Sequence, residues 1–348
     1  MSETAREAIL EPGLPIVDPH HHLWDRLSLG GEAQPGEHGF TTVIRRRPRY
    51  LLDELLADAR SGHNIVATVF VECGAMYRAD GPVALRCVGE TEFVNGVAAM
   101  SASGTYGDIR ACAGIVGRAD FTMGDGVVEV LEAHVAAGGG RFRGVRQSAS
   151  HDADPGVLGP LARTEAGLYA SAGFRSGFGR LAPLGLSFDA WLLEPQLPEL
   201  VDLARSFPET TIILDHVGTP LGVASYAGRR EARFATWREN IQALAAQPRV
   251  FVKLGGLAMA FCNFPSFLSE PAAPSEQLAA EWKPYIEACI EVFGPERCMF
   301  ESNFPVDLGS CDYATLWNAF KRIAAGYSGP EKTALFSATA ANAYRLQL

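Results

Sequence analysis

Eight short runs rich in β-branched and apolar residues recur along the chain, and each is followed by a stretch whose apolar positions have helical spacing. The runs are Leu14–Val17, Ile65–Val71, Ile109–Val116, Phe142–Gln147, Leu186–Phe188, Thr211–Asp215, Arg249–Leu254 and Arg297–Phe300. Amphipathic stretches follow at Leu51–Ser61, Val83–Met100, Val127–Ala137, Gln196–Ser206, Arg233–Ala246 and Glu276–Phe293, with Tyr313–Ala325 and Pro330–Tyr344 after the last run. Parallel strands need a long crossover, usually a helix, so this alternation predicts a parallel sheet. Eight such units close a barrel, and the expected fold is a (β/α)8 TIM barrel forming one domain over residues 1–348. Residues 1–14 read as an N-terminal extension. Two segments, Asp25–Arg49 and Ser148–Pro183, exceed an ordinary connection. Residues 148–183 are expected to form a long active-site loop on the C-terminal face, where barrels of this kind place their chemistry.

With 348 residues, 47% hydrophobic and 20% charged, the chain can bury a large core, which excludes general disorder. Lys plus Arg number 30 and Asp plus Glu 40, a net charge of -10 that repels phosphate backbones and anionic lipid surfaces. Nucleic acid and membrane are therefore not expected partners, and a small molecule is. No apolar run approaches about 18 residues, and Met1–Pro15 mixes Glu3, Arg6, Glu7 and Glu11, so neither a membrane span nor a signal peptide is expected. The seven cysteines are odd in number and scattered, as for reduced thiols in the cytoplasm.

Three of the eight histidines are consecutive, His20, His21 and His22, directly after the first run. Strand alternation puts Asp18, His20 and His22 on one side and His21 on the other. Two imidazoles at a barrel mouth suit a divalent metal or a carbonyl oxygen, whereas exposed loop histidines bonded to one another are the bland alternative. His216 ends the sixth run at an equivalent strand end, or else caps the turn that follows. In the eighth run, Met299, Glu301 and Asn303 share a face, with Glu301 one layer deeper. A lone carboxylate there requires a cation, a metal or a raised pKa. Glu72, Arg146, Asp189 and Lys253 are further strand-end candidates. Arg146 suits a substrate carboxylate, or pairs with Glu72 or Asp189. His151, in the second long segment, is a weaker substrate-binding candidate. Nucleophile-elbow, phosphate-loop and dinucleotide motifs are missing from the sequence.

The strings Val17-Asp18-Pro19-His20-His21-His22-Leu23-Trp24-Asp25, Leu214-Asp215-His216-Val217-Gly218, Val252-Lys253-Leu254-Gly255-Gly256-Leu257 and Arg297–Pro305 resemble the amidohydrolase-related proteins of the metal-dependent hydrolase superfamily. The likeness is to the branch of sugar lactonases and 2-pyrone-4,6-dicarboxylate lactonase, and runs from Ile16 to about Leu346. It implies a distorted eight-stranded barrel, a His-x-His pair at His20 and His22, a mid-barrel His216, and often a homodimer. The family's aspartate at the end of the eighth strand is here Asn303, an amide that cannot take a proton at neutral pH. Hydrolysis of a small cyclic ester, with a sugar or carboxylated lactone first, is the expected reaction. His20, His22 and His216 would polarise the carbonyl directly or through one divalent ion, zinc first. Arg146, Glu72, Lys253 and His151 would bind substrate, Asn303 would hydrogen-bond substrate or water, and Glu301 or Glu72 would accept the proton. A decarboxylase or hydratase, and a non-catalytic ligand-binding protein, are the alternatives.

Overall fold

The computed structural model describes residues 7–348. Eight parallel strands, each paired with the next, run β1 (Pro15–His21), β2 (Asn64–Val71), β3 (Arg110–Arg118), β4 (Phe142–Arg146), β5 (Ser187–Ala190), β6 (Ile212–Leu214), β7 (Val250–Leu254) and β8 (Cys298–Phe300). A helix follows each strand: α1 (Leu52–Ala59), α2 (Val88–Ala102), α3 (Val127–Ala137), α4 (Ala172–Phe178), α5 (Leu197–Ser206), α6 (Arg230–Ala245), α7 (Ser275–Phe293) and α8 (Tyr313–Ile323). This is the TIM barrel that the alternation predicts. Its seam is looser than a ladder. Beyond β8, a single bridge joins His21 to Phe304, and Asn303 N and His22 N each donate at 2.8 Å, to His20 O and Phe304 O.

Residues 148–183 depart from the expected loop, because they contain α4. The Gly, Ala and Arg content of that segment hides two aromatic anchors. Phe174 and Phe178 pack on Phe121 and Phe188, with ring centroids 5.5 Å apart for Phe121–Phe174 and 5.1 Å for Phe178–Phe188. Ser171 caps the helix by accepting from Phe174 N. Similarly, residues 25–49 carry a two-turn helix, Gly39–Arg46. Residues 1–6 of the predicted N-terminal extension lie outside the described residues. Glu7 is hydrogen-bonded to Ser275, and Lys321 Nζ donates to Leu10 O at 2.8 Å and to Glu11 O at 2.9 Å, which clasps the following residues to the barrel wall. No helix among the described residues is long and apolar enough to cross a membrane.

Alternation along the strands fills the barrel. Val17, Ala67, Val69, Val71, Val116, Ile213 and Met299 form an apolar interior layer with Ala340, Ala343 and Tyr344 of the C-terminal helical run. Arg345 donates to Arg143 O near the start of β4, so this run closes the end of the barrel opposite the strand C-termini. Tyr344 is fully buried, and its hydroxyl donates to Asp189 Oδ2 at 2.6 Å. Tyr344→Phe removes one donor from a buried carboxylate and should lower unfolding stability by about 1–3 kcal/mol. An unchanged urea midpoint would show that this bond contributes nothing.

Candidate active site

At the strand C-termini, a cavity of about 410 Å³ is lined by His22, Glu72, Arg146, His216 and Asn303 among others. His20, Glu301 and Lys253 are fully buried and do not reach its wall. Their position beneath the wall follows from ring and ion-pair contacts. The His20 ring centroid is 5.0 Å from that of His22 and 4.7 Å from that of His216. The imidazoles of the first and sixth strands therefore do converge.

Asp18 does not share their side, contrary to simple alternation. Its carboxylate accepts from Ser302 N at 3.0 Å and from the Tyr313 hydroxyl at 2.9 Å, toward α8. The reason is a register shift between β1 and β2 over Asp18–His21. His21 points away from the cavity, 2.8 Å from Thr68 Oγ1, and burial pushes its pKa down to about 3, so it is a neutral packing residue. His22 holds Val71 O through Nδ1 at 2.8 Å. Burial, then the charges of His20 and Arg146, keep its pKa well below the usual histidine range.

His216 sits on a left-handed turn, φ 57°, immediately after β6. The Gly255-Gly256 pair at the end of β7 makes room for the site. A Cβ on Gly256 would lie 2.4 Å from the His216 ring, and one on Gly255 would lie 2.4 Å from Glu301 Cγ. Glu301 Oε1 accepts from His216 Nδ1 at 2.7 Å and from His216 N at 3.1 Å, while Oε2 lies 2.8 Å from His20 Nδ1. Burial alone would raise the Glu301 pKa, but His216 and His20 bring it down to about 2, so it stays ionised. The other nitrogen of His216 is left for the cavity.

Lys253 Nζ lies 2.6 Å from Asp189 Oδ2, 2.9 Å from Asp215 Oδ1 and 3.1 Å from His20 Nδ1. Burial disfavours its charge, yet Asp189 and Asp215 outweigh that and raise its pKa. Held there, Lys253 lies beneath the cavity wall, not at it, where substrate binding was expected to place it. His151 is corrected too, since it does not line the cavity and is tied through Nδ1 to Thr164 O at 2.8 Å. Arg146 is at the wall but largely committed, to Glu72 Oε1 at 2.9 Å and Asp215 Oδ2 at 3.2 Å. Its contacts are those of the ion pair with Glu72, joined by Asp215, and the side chain still lines the cavity.

Asn303 has φ 53°, and its Nδ2 donates to Asp307 Oδ1 at 2.7 Å. Burial pushes the Asp307 pKa well above the usual carboxylate range, with the Asn303 hydrogen bond opposing it. The Asn303 amide oxygen is left to accept. Sequence reasoning missed Asp307, four residues after Asn303, and Asp215, whose parity with inward-facing Ile213 was the available signal. It also missed Arg118, the last residue of β3.

His20, His216 and Glu301 each place a donor atom within 4.8 Å of the others. His22 falls outside this set, because its ring stands at 85° to His20 and is tied to Val71. Two imidazoles with an ionised carboxylate between them, Oε1 on His216 Nδ1 and Oε2 beside His20 Nδ1, make a donor set that fits one divalent ion.

Comparison with known proteins agrees with this architecture. The chain is 36% identical over 336 residues to the uncharacterized protein y4mH of Sinorhizobium fredii, covering 95% of this chain and 98% of that one. It is 26% identical over 334 residues to an L-fucono-1,5-lactonase of Burkholderia ambifaria, covering 95% of each. A crystal structure of an amidohydrolase from Burkholderia multivorans with bound zinc has the same fold, with TM-score 0.69 and 24% identity over 95% of this chain and 99% of that one. The family described as amidohydrolase matches residues 17–346, from inside β1 to beyond the C-terminal helical run, and the chain belongs to that family.

Proposed function

We propose that the protein hydrolyses a small lactone. The observation that carries this is a single cavity whose wall combines the carboxylate of Glu72, the neutral imidazoles of His22 and His216, the guanidinium of Arg146 and the acceptor oxygen of Asn303. Support comes from the relatives named L-fucono-1,5-lactonase. Glu72 is the proton acceptor in this reading, because it is the carboxylate at the wall, whereas Glu301 is buried under His216 and holds that ring in place. Asn303 accepts a hydrogen bond from the attacking water but takes no proton. As the water oxygen adds to the lactone carbonyl, Glu72 removes its proton, and the Arg146 charge stabilises the developing oxyanion. The ring C–O bond then breaks, and the proton returns from Glu72 to the departing alkoxide, leaving an open-chain hydroxy acid.

A divalent ion, zinc first, would be held by His20, His216 and Glu301, and when bound it supplies a Lewis acid that polarises a carbonyl. The zinc in the Burkholderia multivorans structure supports this choice. The test is a screen of lactones with a pH indicator, run on protein purified without chelator and assayed for metal. Acid release is expected. Binding without turnover of any lactone would favour a ligand-binding protein, and carbon dioxide release from aromatic acids would favour a lyase. Less than about a tenth of an equivalent of any divalent metal would remove the ion from the scheme.

A further inference from the structure

We propose that the lactone carries an aromatic substituent in place of the polyol of a sugar lactone, seated on an apolar wall that Phe40, Leu161 and Trp191 form around Phe261; this rests on the lactonase reading. These four residues line the same cavity as the polar groups, yet they belong to a hydrophobic cluster separate from the barrel core and from the interior layer. The connections after β1, β4, β5 and β7 supply them. Phe40, Leu161 and Trp191 are only partly buried in that cluster. Apolar surface left open inside a concave site is surface that a ligand can cover.

The rings are contiguous, with the Phe261 centroid 6.1 Å from those of Phe40 and of Trp191. They also meet the polar groups, because Arg146 Cζ lies 5.7 Å from the Trp191 ring centre. A ring bonded directly to the lactone therefore reaches the wall while the carbonyl stays beside Arg146 and Glu72. The wall is fixed through His38, whose Nδ1 accepts from Phe40 N at 3.2 Å and whose Nε2 holds Val157 O at 3.1 Å. That imidazole ties residues 25–49 to residues 148–183, which gives both long segments a role at the cavity. The fit around it is close, since a Cβ on Gly159 would lie 2.7 Å from the His38 ring. A surface set before the ligand arrives loses little freedom on binding.

Sugar hydroxyls against Phe40 and Leu161 would give up water without gaining partners. The hydroxyls of the same segment are already engaged: Ser148 Oγ lies 2.7 Å from Ser150 Oγ, and Thr164 Oγ1 donates to Ser148 O at 3.3 Å. Guanidiniums at the cavity are compatible with an aromatic guest, because Arg26 already lies 4.7 Å from the Trp24 ring centre as Arg146 does beside Trp191. A cavity of about 410 Å³ also suits a larger ligand than a bare lactone ring.

Calorimetric titration with δ-valerolactam and with its δ-phenyl derivative, uncharged analogues that resist hydrolysis, tests the wall without turnover. The phenyl derivative should bind at least about tenfold more tightly, since only its added ring is covered by the wall. Phe40→Ala and Leu161→Ala should each cut that ratio by about threefold or more, with circular dichroism melting as the check on folding. In parallel, kcat/KM should be higher for δ-phenyl-δ-valerolactone than for gluconolactone. Equal binding of the two lactams, which needs neither variant, overturns the wall even if lactones are hydrolysed. An undiminished ratio in both folded variants, or a preference for gluconolactone, overturns it as well. Phenyl-dependent lactam binding with no lactone turnover supports the wall and overturns the lactonase reading instead.

Discussion

Glu72→Gln should lower kcat for lactone hydrolysis by about 100-fold or more, with the protein still folded. Gln keeps the shape and the bond that Oε1 accepts from Arg146 Nε, but it cannot hold a proton. Retained turnover would transfer the base to an imidazole at the wall. The same substitution has a second readout. Glu90, buried nearby, has its pKa pushed up to about 7, first by burial and then by the charge of Glu72. A carboxyl raised above its ordinary 4.5 favours the folded state while protonated. Its contribution is thus complete below about pH 4.5 and is lost as pH rises through about 7. Removing the Glu72 charge lets Glu90 ionise at lower pH in the fold. The fall in melting temperature between about pH 5 and 7 should therefore be shallower in the variant, and an identical pH profile would uncouple the two carboxyls.

Lys253→Met should destabilise the fold by about 3–5 kcal/mol in urea unfolding, the largest stability effect expected at the site. Met fills similar volume, so the change isolates the charge. Without Nζ, the buried carboxylates of Asp189 and Asp215 keep Arg146, His20 and the Tyr344 hydroxyl as partners. Burial already raises the Asp189 pKa, with Lys253 opposing it, so the variant's stability should improve as pH falls and Asp189 takes a proton. A loss under about 1 kcal/mol would mean that the pair is already held neutral in the parent protein.

Fold and site were not equally legible. Strands written in Val, Ile and Leu announced the barrel, since burial on both faces leaves near-continuous apolar runs. Helix α4 was not visible, because its two aromatic anchors lie among Gly, Ala and Arg, and only the distant Phe121 and Phe188 make it worth forming. At the site, Glu301 and Asn303 lie past the end of β8, and Asn303 has φ 53°, so strand parity does not govern them. Parity failed for Asp18, where a register shift intervenes. Chain position also could not separate residues at the cavity wall from residues one layer beneath it. That distinction moved His20, Glu301 and Lys253 from touching a substrate to supporting those that do, and depends on contacts between eight strands. The commitment of Arg146 to Glu72 and Asp215 likewise brings together three strands that no local pattern connects.

The C-terminal run of helix delivers Tyr344 to Asp189 from the closed end of the barrel, and Asp189 in turn holds Lys253 beside His20. During synthesis this stopper leaves the ribosome after all eight strands have emerged. Truncations of a dozen residues at that end, remote from any ligand, would consequently be felt at the histidines.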